Sequence, residues 1–336
     1  MRPRYNKLYF LPRHLLGLIF FAFFFTSCST NNNPVLPAIT GKAGEIIVVI
    51  EKKNWDSNVG KQIKACLAQQ HIALPQPEPV FTLVNIPNKS FTGLLKSHRN
   101  ILIINISRNE KPSVIVKKDV WSTPQLVVKI TASNKDELVD LINKNKGSLV
   151  NYYINIEKKR LMSKYAKIEE KSITKKLIKD HQLSLTVPKT YEIAKEHEKF
   201  IWIRRETNET SHGILIYYYD YVDSNTFTRA YILSARDSIT KRYIPGPTTG
   251  SYMSTMRDYP AAIKKMDFKG MYAIETRGLW NVHGDFMGGP FLNYTILDEQ
   301  RNRVVTVEGY VYAPKFDKRN YLRQVEAILC SLKIHS

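Results

Sequence analysis

The chain of 336 residues is short of cysteine, with only Cys28, Cys66 and Cys330. Three thiols exclude a disulfide scaffold and any four-cysteine zinc or iron–sulfur site held within one chain. Fifteen glycines and sixteen prolines exclude collagen-like and proline-rich architectures. No apolar run approaches the roughly 20 residues that cross a bilayer. The longest, Leu15–Phe25, has eleven. No GxSxG elbow, HExxH, Walker loop or GxGxxG is present, so the common hydrolase, metalloprotease and nucleotide-binding signatures are missing. Acidic residues are in deficit, 30 against 50 basic, for a formal charge of +20. What is there is the composition of a folded globular protein, 43% hydrophobic and 24% charged, with length for about two domains.

The N-terminus reads as an address. Arg2, Arg4, Lys7 and Arg13 precede the apolar run, and Thr26 and Ser27 lead to Cys28. A basic segment, a short apolar segment and small residues before a cut site describe a secretory signal over 1–27. Phe25-Thr26-Ser27-Cys28 resembles a bacterial lipobox, which implies acylation of Cys28 and anchoring in a lipid bilayer. Phe25 stands where that pattern usually has Leu. The polar stretch that follows makes residues 28–40 a tether. Residue 29 is Ser rather than Asp, and no acidic run follows. The expectation is therefore an outer-membrane, periplasm-facing lipoprotein, with inner-membrane anchoring as the alternative. Nucleic acid is not an expected partner, because no RNA-binding or zinc-finger pattern is present and the chain reads as exported.

Residues 41–146 alternate apolar runs and helical patterns. Gly44–Ile50, Val80–Ile86, Ile101–Ile106, Val114–Lys118 and Gln125–Thr131 read as strands. Asn54 is a candidate cap for the first helix and Ser133 marks another cap. Together they predict an α/β layer domain. From 147 to 181 apolar residues recur at helical spacing among nine basic and four acidic side chains, which predicts one long basic connecting helix. Residues 182–336 read as strands at 183–187, 200–206, 214–221, 271–276, 291–297 and 304–312, with helices at 226–243 and from Asp317. That order predicts an α+β domain, an antiparallel sheet covered by helices. Its layout is similar to the PsbP and Mog1-like α-β-α sandwiches.

Several stretches together resemble an uncharacterised lipoprotein family, a domain-of-unknown-function family of Bacteroidota-type envelopes. They are Gly41–Glu45, Ser97–Ile101, Phe200–Glu206, Gly278-Leu279-Trp280 with Gly288–Phe291, and Gly309–Pro314. The resemblance implies an envelope lipoprotein and supplies no catalytic residues.

Two segments stand out chemically. Residues 275–291 read as a glycine-rich loop carrying Arg277, Trp280, Asn281, His283 and Asp285. Glycines let a ligand approach the main chain, and His283 with Asp285 is suited to acid–base chemistry near neutral pH. One imidazole and one carboxylate are too few for zinc, so no metal or other cofactor is expected. The structural alternative is a hairpin connection with a buried Trp280. The second segment, Pro245–Ser251, precedes Arg257; beside the first it would form one cleft for an anionic or glycan ligand, with Trp280, Asn281, His283 and Arg257 as contacts. The function these features favour is a non-catalytic binding or assembly module tethered to the envelope, whose partner is an envelope protein or an anionic glycan. The rival is a hydrolase or transferase on an envelope glycan or anionic polymer, using His283, Asp285 and Arg277. A third class captures a small ligand or metal without turnover.

Overall fold

The β-branched runs of the first half pair side by side as β1 (Glu45–Val49), β2 (Thr82–Ile86), β3 (Asn100–Ile106), β4 (Ser113–Lys118) and β5 (Leu126–Ala132), in the order β2-β1-β3-β5-β4. The computed structural model describes residues 35–335, and from Pro37 onward they belong to one unit. The expected signal segment and Cys28 lie outside the described residues. All pairings are parallel except β4 with β5, which puts the Lys-bearing strand on an edge, where charge discourages further strand addition. The central strands are apolar on both sides because both faces are covered.

One face packs under α1 (Lys52–Trp55), α2 (Asn58–Leu67), α3 (Lys135–Lys144) and the start of α4 (Lys146–Lys167). The cap of α2 is Ser57, whose Oγ accepts from Val59 N at 3.3 Å; the expected cap, Asn54, lies inside α1. Asn134 caps α3, accepting from Glu137 N at 3.0 Å. The other face takes Phe91, Leu95 and Trp121 from the β2–β3 and β4–β5 connections.

The single helix expected over 147–181 is two helices, α4 and α5 (Lys171–His181). The break at 168–170 is fixed by tertiary bonds: Glu170 N donates to Val187 O at 2.7 Å, and its carboxylate accepts from Ser172 N at 3.2 Å to start α5. α4 also contributes to a core. Leu149, Val150, Tyr153 and Ile156 enter the first core, and the buried Tyr153 hydroxyl donates to Ile101 O at 2.9 Å. The end of the expected tether is pinned too, with Ala38 bridged to Thr123 and Thr40 to His98.

The second half comprises β6 (Leu183–Ser184), β7 (Glu192–His197), β8 (Phe200–Glu206), β9 (Ser211–Asp220), α6 (Arg229–Tyr243), β10 (Tyr252–Thr255), β11 (Ala262–Phe268), β12 (Met271–His283), β13 (Gly288–Asp298), β14 (Arg303–Tyr312), α7 (Arg319–Leu329) and β15 (Lys333–Ile334). The large sheet runs β10-β12-β13-β14-β9-β8-β7, antiparallel throughout, with β11 also paired to β12. The fold class is the expected one, an α/β layer followed by a helix-covered antiparallel sheet. The strand expected at 183–187 shrinks to two residues, whereas β7, β10 and β11, rich in Lys, Glu, Ser and Thr, are additional strands at the sheet margin.

Alternation along the strands gives each face its own core. Ile201, Ile203, Ile214, Ile216, Leu292 and Val307 face α7 and α5, while Phe200, Leu215, Tyr217, Trp280 and Phe291 face α6. The two halves meet at α7. Its first amides, Lys318 N and Arg319 N, donate to the Glu78 carboxylate at 2.6 and 3.0 Å, so the N-terminus of the closing helix is capped by a residue of the first half. Arg319 Nη1 donates to Pro79 O at 2.7 Å. The segment Pro75–Pro79, which ends the first helical pattern, thereby holds the cap in place. Cys66 and Cys330 are free thiols, one in each half.

Candidate functional site

The sheet face under α6 is only partly covered, because α6 ends at Tyr243 and Pro245-Gly246-Pro247 turns the chain away. Beyond that end lies a pocket of about 330 Å³. Four rings from three strands converge there: Trp202 of β8, Trp280 of β12, and Tyr310 and Tyr312 of β14. Even-numbered positions of β8, β12 and β14 share this face, so the pairing register brings the rings together. Trp202 Nε1 donates to the Tyr310 hydroxyl at 3.0 Å, and the Trp280 and Tyr310 rings meet edge-on with centroids 5.5 Å apart. Burial pushes the Tyr310 hydroxyl up to above its usual range, so it stays protonated. Met253, Met287 and the two prolines complete an apolar wall, and Arg204 with Glu206 supplies charge at the rim. Trp280 is only 2% exposed, yet its Nε1 is buried without a hydrogen-bond partner.

Glycine makes the close packing behind the rings feasible. A Cβ on Gly289 would stand 2.1 Å from the Val311 carbonyl oxygen and 3.2 Å from Trp280 Nε1. One on Gly213 would strike the Tyr310 ring at 2.0 Å. Neither clash can be relieved by moving a flexible side-chain tip.

The expected loop over 275–291 is therefore mostly sheet. β12 continues through His283 and β13 begins at Gly288, leaving a four-residue turn in which only Gly284 has the left-handed backbone, at φ +84°. The glycines at 278, 288 and 289 serve close approach between strands and rings rather than loop flexibility. The candidate residues consequently separate. Trp280 faces the pocket. Asn281 and His283 point to the other face, where Asn281 Oδ1 accepts from Ser254 Oγ at 2.8 Å and the exposed His283 ring stacks on Tyr252 at 5.0 Å. Asp285 Oδ1 accepts from Met287 N at 3.1 Å and closes the turn. Arg277 is on the α7 face, paired with Glu275 and Glu326 at 2.8 and 3.1 Å. Arg257 is paired with Asp237 of α6. The two segments singled out do meet, since Pro245–Pro247 and Trp280, Val282 and Met287 line the same pocket. Among the described residues no group of three or more His, Cys, Asp or Glu is placed to hold a metal ion.

Three contributors had no flag in the sequence as site residues. Trp202, Tyr310 and Tyr312 lie in stretches that carry the family resemblance, and only strand register reveals that they converge. The other resembling stretches also explain one another: Gly41, at φ +87°, lies where a Cβ would be 2.1 Å from the His98 ring, and His98 Nε2 bonds Glu45 Oε1 at 2.9 Å. Phe286, fully exposed at the β12–β13 turn, stands next to Met287 at the pocket wall.

Residues 170–331 match the model of a domain of unknown function (DUF4837), and residues 39–166 match that of another (DUF8532). No curated protein sequence matches the chain. Among solved structures, the Ran-binding protein Mog1p of Saccharomyces cerevisiae is similar at 10% identity and a TM-score of 0.32, over 46% of this chain and 90% of that one. LpqN of Mycobacterium tuberculosis, described as involved in cell envelope biogenesis, is similar at 14% identity and a TM-score of 0.28, over 46% of this chain and 83% of that one. Among the described residues no helix is long and apolar enough to cross a membrane.

Proposed function

We propose that this chain, whose two halves belong to uncharacterised domain families, is a lipid-tethered binding module of the bacterial envelope that holds a glycan by a sugar ring. The aromatic pocket carries the reading. Trp and Tyr offer flat apolar faces that stack on the C–H face of a pyranose, while Arg204, Glu206 and the Tyr312 hydroxyl at the edge suit its hydroxyl groups. The excess of basic over acidic side chains favours an anionic polymer as the source of that ring. His283 and Asp285 are engaged separately, one in a stack and one in a turn, which favours retention over turnover.

Titrating the mature protein with soluble envelope-glycan fragments is expected to give a saturable change in tryptophan emission. Trp202→Ala removes a half-buried ring from the pocket and is expected to abolish the change while the protein stays folded. Absence of a saturable change in the unaltered protein refutes the reading. Release of reducing sugar that disappears in His283→Ala would replace it with the hydrolase.

The tether is tested separately. Acylation at Cys28 by two or three chains makes membrane attachment stable where one chain is marginal. Cys28→Ala is expected to move the protein from the membrane pellet to the soluble fraction, or to leave it as an uncleaved precursor. Mature-size protein that remains in the pellet would exclude lipid anchoring at this residue.

A further inference from the structure

A second cavity, of about 380 Å³, opens at the junction of the two halves, on the sheet face opposite the aromatic pocket. It is walled by residues 69–72 just after α2, by α4, by β11 and β12, and by α7. Its lining is charged. Glu326 sits at the centre of one wall, bonded to Lys158 Nζ and Arg277 Nη2, both at 3.1 Å, and to the Tyr294 hydroxyl at 3.3 Å. Burial alone would push this carboxyl up, but Arg277 and Lys158 prevail and hold it down to about 2. Glu275 takes the other side of Arg277. Glu157 also borders the cavity but is already satisfied by Arg99 and Arg160, each at 2.8 Å.

That leaves Lys264 and Arg323. Neither forms an ion pair among the described residues. Lys264 is exposed on β11, facing the cavity. Arg323 donates from Nη2 to Val80 O at 2.5 Å and lies over the Phe81 ring, while its Nη1 is buried toward Gly44 without a partner, so its charge rather than a free N–H reaches the cavity. The lining thus holds four cations against the two carboxylates not neutralised elsewhere. His71 lies on the same wall. Burial lowers its ring to about 4, with Arg277 and Arg323 adding to the effect against the Ile72 carbonyl that bonds Nδ1 at 2.8 Å. Amide groups of Gln69, Asn151 and Asn155 supply uncharged hydrogen-bonding partners around these charges.

We propose that this junction cavity binds a small phosphate monoester of sugar size, its phosphate neutralising Arg323 and Lys264 and its hydroxyls meeting the amides. The volume is within the range of small-ligand sites, and such sites favour the seams between domains. A guanidinium and an ammonium free of carboxylate partners suit a dianionic phosphate, whose charge-assisted bonds are the strong ones. The proposal does not depend on the aromatic pocket, which shares none of these groups.

Isothermal titration with glucose 6-phosphate is expected to show saturable binding that inorganic phosphate competes away and that neutral glucose does not reproduce. Lys264→Gln, at an exposed position, should weaken binding about tenfold and leave folding unchanged. Arg323→Gln should weaken it at least as much; because Arg323 also packs on Phe81, Lys264→Gln carries the test if that variant is unstable. Saturation should also raise the His71 pKa, followed by NMR, because the bound charge offsets Arg277 and Arg323. No saturable binding, equal binding of glucose, or binding unaltered in Lys264→Gln overturns the proposal, and none of these outcomes bears on the glycan pocket.

Discussion

Truncating Glu308 to Ala is expected to lower the unfolding free energy by about 3–5 kcal/mol, the cost of stranding a buried charge. Glu308 and Arg236 are both 0% exposed, in the layer between α6 and the large sheet. Arg236 Nη2 donates to Glu308 Oε1 at 2.8 Å and Nε to Oε2 at 2.9 Å. Its Nη1 donates to Thr255 Oγ1 at 3.0 Å, and the guanidinium carbon lies 4.0 Å from the centre of the Phe291 ring. Removing the carboxylate leaves a guanidinium that can neither reach water nor lose its proton, with Asp237 Oδ1, 3.7 Å from Nη1, as its remaining carboxylate neighbour. Replacing the pair together, Arg236→Met with Glu308→Leu, should cost much less than Glu308→Ala alone, because no charge is then left unpaired. Urea unfolding of the variants decides the matter. If the double replacement costs as much as the two single ones added, packing rather than charge holds this layer. Glu308→Ala should also loosen the aromatic pocket, since Met253 touches Arg236 Nη2 at 3.6 Å and forms part of the pocket wall.

The second large effect is acid lability beginning well above the carboxylate range. His212 is 1% exposed, its ring lowered to about 4 by burial, with Arg205 adding to the shift; Tyr191 and Tyr321 are its ring neighbours. His71 is lowered to about 4 as well. Both are neutral in the folded protein at pH 5 and protonated in the unfolded chain, whose histidines titrate near 6.5. The unfolded state then holds the extra protons, so stability falls as pH drops from 6.5 to 4. The loss at pH 5 is on the order of 2 kcal/mol for His212 and less for the partly exposed His71. Glu326 works over a lower window. Its folded value of about 2 contributes stability above the unfolded value of 4.5 that is lost as pH falls from there through 2. Urea midpoints at pH 7, 5 and 3.5 should fall in that order, and His212→Gln should flatten the upper step. Midpoints unchanged between pH 7 and 5 would show that neither histidine is buried neutral.

Neither of these devices is visible in the sequence. Arg236 sits in a helix beside Asp237 and between Ser234 and Ser238, a polar stretch that reads as solvent-facing, and Glu308 interrupts the run from Arg303 to Tyr312 as though on an exposed face. Each is buried because the other is there, and that partnership spans 72 positions. The parallel strands of the first half were legible because burial on both faces leaves nearly unbroken apolar runs. The margin strands β7, β10 and β11 were not, since residues such as Glu192, Lys195, Lys264 and Lys265 belong to edges that must stay polar. In the candidate site Trp280 was legible as an aromatic among glycines. The reason attached to it, a flexible loop bearing His283 and Asp285, gave way once β12 proved to continue through His283. Trp202, Tyr310 and Tyr312 needed pairing register, which a single strand's sequence does not contain.

The cap that Glu78 places on α7 bears on the order in which the molecule can be finished. Its acceptor is synthesised 240 and 241 positions before the donors at Lys318 and Arg319. The first sheet can pair as soon as Ala132 is present, but the seam with the second half stays open until Lys318 and Arg319 are in place. A truncation anywhere before Arg319 would forfeit it altogether.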